Sequence, residues 1–145
     1  RLERILFPEK TLDAETQTRP TTPYERLGGS EPIVAITNRF YDLMDEDPAY
    51  AELRAMHAAD LAPMRESLAG FLIGWSGGPR DWFDAKPNRC VMSAHKPLTI
   101  SPQTSSQWMD AMRQALDDVI GGSDPEIAKV MGDVLQQMAT GMISR

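Results

Sequence analysis

Apolar residues return every three or four positions in four stretches of this chain, and prolines and glycines mark where each stretch starts and stops. The first runs through Ile33, Ile36, Phe40, Tyr41, Leu43 and Met44, with Ser30 as its cap, Pro32 in the first turn and Asp47-Pro48 as its end. The second, through Leu61, Met64, Leu68, Phe71, Leu72 and Trp75, begins near Asp60 with Pro63 and stops at Ser76-Gly77-Gly78-Pro79. The third follows Ser101-Pro102, carries Trp108, Met112, Leu116, Val119 and Ile120, and ends at Gly121-Gly122. The last begins at Ser123 or Asp124 with Pro125 and presents Ile127, Val130, Met131, Val134, Leu135, Met138 and Met142. Four such helices, with no strand signal of comparable strength, predict an all-α domain.

The connecting segments read differently. Tyr24-Glu25-Arg26-Leu27-Gly28-Gly29 predicts a turn or a single helical turn broken by its glycines, and residues 48–59 a loop or short helix with Leu53 and Met56, ending in His57. Residues 80–89 read as a loop, with Trp82 and Phe83 as anchors against the body. In residues 1–23, Leu2, Ile5, Leu6 and Phe7 form one apolar group, but Pro8, Pro20, Pro23 and a Thr-rich run deny it a long helix. This segment reads as an N-terminal arm, partly disordered or packed across the domain, or as an uninvolved tail.

Composition narrows the class. At 145 residues the chain suits one domain able to bury most of its apolar surface. A net charge of -6 argues against a nucleic-acid surface, and no apolar run approaches a membrane span. One cysteine rules out an internal disulfide and fits a reducing cytosol, so a cytoplasmic location is expected; no leader-like segment is visible, although the chain begins at Arg1. Cys90 itself reads as a small buried hydrophobe rather than an oxidisable thiol, because no cationic cluster lies beside it.

The candidate chemistry centres on Cys90-Val91-Met92-Ser93-Ala94-His95-Lys96-Pro97-Leu98-Thr99-Ile100. Lys96 precedes Pro97 and is pushed out of α geometry, so a short helix carrying Val91, Met92 and His95 should stop near His95. A lone histidine among apolar neighbours is most often a helix-end residue satisfied by a backbone carbonyl. With one Cys and two His, no zinc finger, iron–sulfur or CxxC site can be assembled. Haem, by contrast, needs one strong protein ligand and otherwise an apolar slot. Tyr41 lies on an apolar stripe and carries its hydroxyl inward, where it must find either a carbonyl or a ligand.

The order of residues resembles the group II truncated haemoglobins over residues 24–145. The matching pieces are Tyr24-Glu25-Arg26-Leu27-Gly28-Gly29, Arg39-Phe40-Tyr41, Asp60-Leu61 through Phe71 to Gly77-Gly78-Pro79, His95 with Leu98 and Ile100, and Trp108. The resemblance implies a 2-on-2 helical sandwich with an N-terminal extension, holding haem b, with His95 as the proximal iron ligand. It places Tyr41, His57 and Trp108 at the distal and polar pocket positions. The walls it implies are Leu61, Met64, Leu68 and Phe71 on the second helix, with Trp82, Leu98, Ile100 and Met112. Met64 and Leu68 are apolar where some members carry polar side chains, which leaves hydrogen bonding to a ligand with Tyr41, His57 and Trp108. Met92-Ser93-Ala94 also departs from the Arg-x-Arg that many members carry before the histidine, so the cation meeting the haem propionates is open among Arg65, Arg89 and Lys96.

The implied function is reversible binding of O₂, CO or NO. Indole N–H only donates, the tyrosine hydroxyl donates or accepts, and His57 does either according to its tautomer; converging donors slow ligand release. The alternative is a haem enzyme, a NO dioxygenase or a peroxidase-like activity on H₂O₂. Turnover of that kind needs an external, unidentified reductase, since the chain has no flavin or nicotinamide motif. His57 is also readable as a second axial ligand, and a homodimer is compatible with the pattern.

Overall fold

The computed structural model describes residues 21–85 and 100–143. His95, Leu98, Cys90, Arg89 and Lys96 therefore lie outside the described residues, as does most of the predicted arm. The described elements are α1 (Pro23–Leu27), α2 (Ser30–Glu46), a 3₁₀ turn (Pro48–Tyr50), α3 (Ala51–Ala55), α4 (Ala62–Trp75), α5 (Asp81–Ala85), α6 (Pro102–Leu116), a π turn (Asp117–Gly121) and α7 (Pro125–Gly141). Every described element is helical.

The helices pack as two pairs. α2 lies on α4, α6 lies on α7, and α2 crosses onto α6, so that the two layers meet along the buried face of α2. That face carries Ile33, Ile36, Phe40 and Met44, each 1% exposed or less, at the three- and four-residue spacing that one helix face allows. Met109, Met112, Leu116 and Met131 complete the core from the other layer.

The ends follow local chemistry with two departures from the sequence reading. Ser30 does not cap α2. Gly29, at φ 112°, holds the cap position, and the Ser30 hydroxyl lies 2.9 Å from the Tyr24 hydroxyl. Only glycine takes that backbone conformation without strain, which frees the serine for the tyrosine. Residues 81–85 form a helical turn rather than a loop. Trp82 meets Phe71 edge-on and Phe83 meets it tilted, at centroid distances of 5.4 and 5.8 Å, so tertiary burial decides a segment too short for its own periodicity to show. The other starts are as predicted: Ser101 accepts from the Thr104 N–H at 3.0 Å, and Asp124 from the Ile127 N–H at 3.2 Å.

Candidate functional site

Between the two helical pairs lies a cavity of about 410 Å³. Its walls come from α2, α3, the segment after α3, α4, α5, α6 and α7, and they are largely apolar. Of the sequence-predicted pocket residues, Tyr41, His57, Met64, Leu68, Phe71, Trp82, Ile100 and Trp108 all line it. Leu61 and Met112 do not. Leu61 is buried at the N-terminal cap of α4, and Met112, one turn beyond Trp108 on α6, is fully buried in the core.

The far wall went unrecognised in the sequence. Leu135, Met138, Ala139 and Met142 on α7 line the cavity, as do Leu53 and Met56 on the near side. The signal was present: positions 135, 138, 139 and 142 share one helix face, but such a stripe has the same appearance whether it covers a core or a cavity.

The polar groups on this lining divide into committed and uncommitted. Trp82 donates its indole N–H to the Ser67 hydroxyl at 3.1 Å, and Thr104 is engaged with Ser101. The Ser105 hydroxyl donates to the Ala139 carbonyl at 3.3 Å. Tyr41 is 3% exposed, and among the described residues its hydroxyl has no hydrogen-bond partner; the indole N–H of half-buried Trp108 has none either. A buried donor such as the Tyr41 hydroxyl, on the wall of an apolar cavity, is costly unless a ligand accepts from it. Edge-on ring contacts fix their placement: Phe40 meets Tyr41 at 4.9 Å and Trp108 at 5.1 Å, and Tyr41 meets His57 at 6.1 Å.

His57 is more constrained than its sequence suggested. Its Nδ1 lies 2.9 Å from the Leu53 carbonyl oxygen. A carbonyl only accepts, so Nδ1 carries the proton, and in the neutral ring Nε2 is an acceptor. Donation to a ligand in the neutral state therefore rests on Tyr41 and Trp108.

Burial pushes the Tyr41 phenol up to about 12, with Arg65 pulling weakly the other way. The hydroxyl stays protonated, and so able to donate, throughout the physiological range. Because the unfolded phenol releases its proton near pH 10 and the folded one does so later, the native state holds the extra proton across that window. Stability is thus expected to fall by roughly 2–3 kcal/mol as pH rises from about 10 to about 12. Urea midpoints measured over this range should show the loss, and Tyr41→Phe should flatten it.

Arg65, one of the predicted propionate cations, is already engaged. Its guanidinium donates to the Asn38 carbonyl at 3.0 Å and to Asp42 at 2.8 Å, and lies 5.8 Å from the Tyr41 ring centroid. The cavity wall itself carries no lysine or arginine among the described residues. No group of three or more His, Cys, Asp or Glu among them is placed to hold a bare metal ion. A flat apolar cofactor with its own metal fits this lining: the aromatic faces of Phe71 and Trp82 and the thioethers of Met64 and Met138 are its natural neighbours, and the two unpartnered donors suit a ligand bound to it.

Comparison with known proteins agrees with this geometry. Residues 22–144 match the family model described as bacterial-like globin. The chain is 24% identical to the group 2 truncated hemoglobin YjbI of Bacillus subtilis, covering 85% of this chain and 89% of that one. Among solved structures, the cold-adapted truncated hemoglobin of Pseudoalteromonas haloplanktis TAC125 superposes with a TM-score of 0.82 at 34% identity, over 86% of this chain and 99% of that one. The group II 2-on-2 hemoglobin of Agrobacterium tumefaciens superposes equally, at 0.82 and 28% identity, over 87% and 96% of the two chains. The two stacked helix pairs, the apolar cavity between them and a match spanning nearly all of the described residues have one common explanation: this chain belongs to the bacterial-like globins, as a truncated haemoglobin whose cofactor is haem b.

Proposed function

We propose that this chain holds O₂ through hydrogen bonds from Tyr41 and Trp108, on haem b carried in the cavity between the helix pairs with His95 as proximal ligand. The observation that carries this reading is the buried Tyr41 hydroxyl, with half-buried Trp108 beside it, on an apolar wall with no hydrogen-bond partner for either among the described residues. Haem b supplies the iron at which a diatomic ligand binds reversibly. Everything else falls to the chain. Met64, Leu68 and Phe71 exclude water from one side, and Leu135, Met138 and Met142 from another. In that low-dielectric space a hydrogen bond to a polarised ligand is stronger than in water. The binding of small gaseous ligands is a property of the family, and CO and NO fit the same space as O₂.

Further features of the reading concern surroundings. We place the globin domain at 24–145, with residues 1–23 as the segment that precedes it; the family match begins at residue 22. No helix among the described residues is long and apolar enough to cross a membrane. A cytoplasmic location rests on the single cysteine, and a separate reductase would keep the iron ferrous, since the chain has no flavin or nicotinamide motif. Whether two copies pair is a matter for sedimentation.

The test is the absorption spectrum of the purified protein in ferric, dithionite-reduced and CO-bound forms. A Soret band that shifts on CO addition is the expected result. Absence of any such band after reconstitution with haem would refute the proposal.

A further inference from the structure

Arg54 does not itself line the cavity, yet it gathers three acceptors around the segment that carries His57. Its Nε donates to Asp45 on α2 at 2.9 Å, its Nη1 to the Ala58 carbonyl at 3.0 Å, and its Nη2 to the Ala59 carbonyl at 3.0 Å. Its own carbonyl accepts the His57 N–H at 3.0 Å. The side chain thus holds the two residues that follow His57 while the Arg54 backbone carbonyl holds the His57 N–H, and Asp45 anchors the grip to the long helix. Only a planar fork can serve two successive carbonyls and a carboxylate together; an ammonium on a flexible stem has the charge without the geometry. Arg54 is 23% exposed, well ordered by these contacts on a surface where isolated ion pairs contribute little.

A second anchor meets the same segment from the other layer. The Leu53 N–H donates to the Gln107 Oε1 at 3.1 Å, while the Leu53 carbonyl accepts from His57 Nδ1. Gln107 adjoins Trp108 on α6, so the carbonyl that fixes the His57 proton is itself fixed against the helix bearing the second ligand donor.

We infer that Arg54 is a positioning residue: its fork closes the segment 56–60 so that His57, at the cavity wall beside Tyr41, keeps its Nδ1 proton on the Leu53 carbonyl. The inference rests on the reading of this cavity as the haem pocket, because only there does the tautomer of His57 bear on a ligand. It also separates the roles of the three polar pocket residues, with Tyr41 and Trp108 donating and His57 held back.

The experiment uses the full chain in its diamagnetic ferrous CO form, with Arg54→Ala, Arg54→Lys and Asp45→Asn beside the parent. Ring ¹⁵N shifts of His57 report the tautomer, and exchange of the hydrogen-bonded Met56 and His57 amides reports closure of the segment. The parent should show the Nδ1–H tautomer. Arg54→Ala and Arg54→Lys should both lose its predominance and exchange those amides at least tenfold faster, with Asp45→Asn between them and the parent. Ring shifts and exchange in Arg54→Ala equal to those of the parent would overturn the proposal, and so would full retention of both in Arg54→Lys. A parent without a Soret band strikes the haem reading instead; the tautomer and exchange comparisons on the same chain then still decide whether Arg54 closes the segment.

Discussion

Reconstituted His95→Ala protein is expected to lose the Soret response to CO that the parent shows. The expected loss of haem affinity exceeds the roughly 10–100-fold that follows removal of a mere hydrogen-bond partner to a metal ligand. The reason is the poverty of alternatives. The described cavity wall offers thioethers from Met56, Met64, Met138 and Met142, hydroxyls, and the imidazole of His57. That imidazole keeps an Nε2 lone pair, but its ring is tethered through Nδ1 to the Leu53 carbonyl and sits beside Tyr41. No other histidine exists in the chain. A companion variant, His95→Gly, should regain the band when imidazole is added to the solution, because the ligand is then supplied without its backbone tether. A normal CO spectrum in both variants would transfer the proximal role to another residue.

The second large effect concerns ligand release. Trp108→Phe and Tyr41→Phe should each speed O₂ dissociation, followed by stopped flow, by about one to two powers of ten. That is the rate equivalent of the roughly 1.5–3 kcal/mol that a hydrogen bond to a charge-bearing acceptor contributes. Both substitutions keep an aromatic ring at the Phe40 contacts, so the pocket should keep its shape while losing a donor. In the double variant the effects should combine to less than their product, as expected when two donors share one acceptor. Rates unchanged in both single variants would remove the donor role.

Much of this was legible in the residues because the four long helices announce themselves locally. Pro32, Pro63, Pro102 and Pro125 stand in their first turns, and Gly77 and Gly121-Gly122 stand near the ends of two of them. The resemblance then brought Tyr41, His57 and Trp108 to one cavity, which spacing alone could not do, since they sit on three separate elements. What stayed hidden depends on contacts between distant segments. The turn at 81–85 is stabilised by Phe71, and its one visible trace is the pair Gly70 and Gly74. These are one helical turn apart, and a Cβ on either would press against Trp82 at 3.1 Å or Phe83 at 2.6 Å. The π turn after α6 is similarly cryptic, with the Asp117 carboxylate occupying the space a side chain on Gly121 would need. The His57 tautomer depends on where α3 ends and on Leu53 one turn earlier, neither of which periodicity can set.

The five residues of α1 reach both layers. Thr22 and the Tyr24 ring fill the space left by Gly77 and Gly78 at the end of α4, the Tyr24 N–H donates to the Ser76 carbonyl at 3.0 Å, and Arg26 grips Asp124 at 2.8 Å at the start of α7. α1 is therefore a buckle between one member of each helix pair. Because α1 is fastened to Ser76 on one layer and to Asp124 on the other, melting either layer alone would tear one of these attachments open. Such cross-fastening ties the two layers together at their ends, so that a parting of the layers to admit a cofactor must break the Tyr24–Ser76 bond or the exposed Arg26–Asp124 pair.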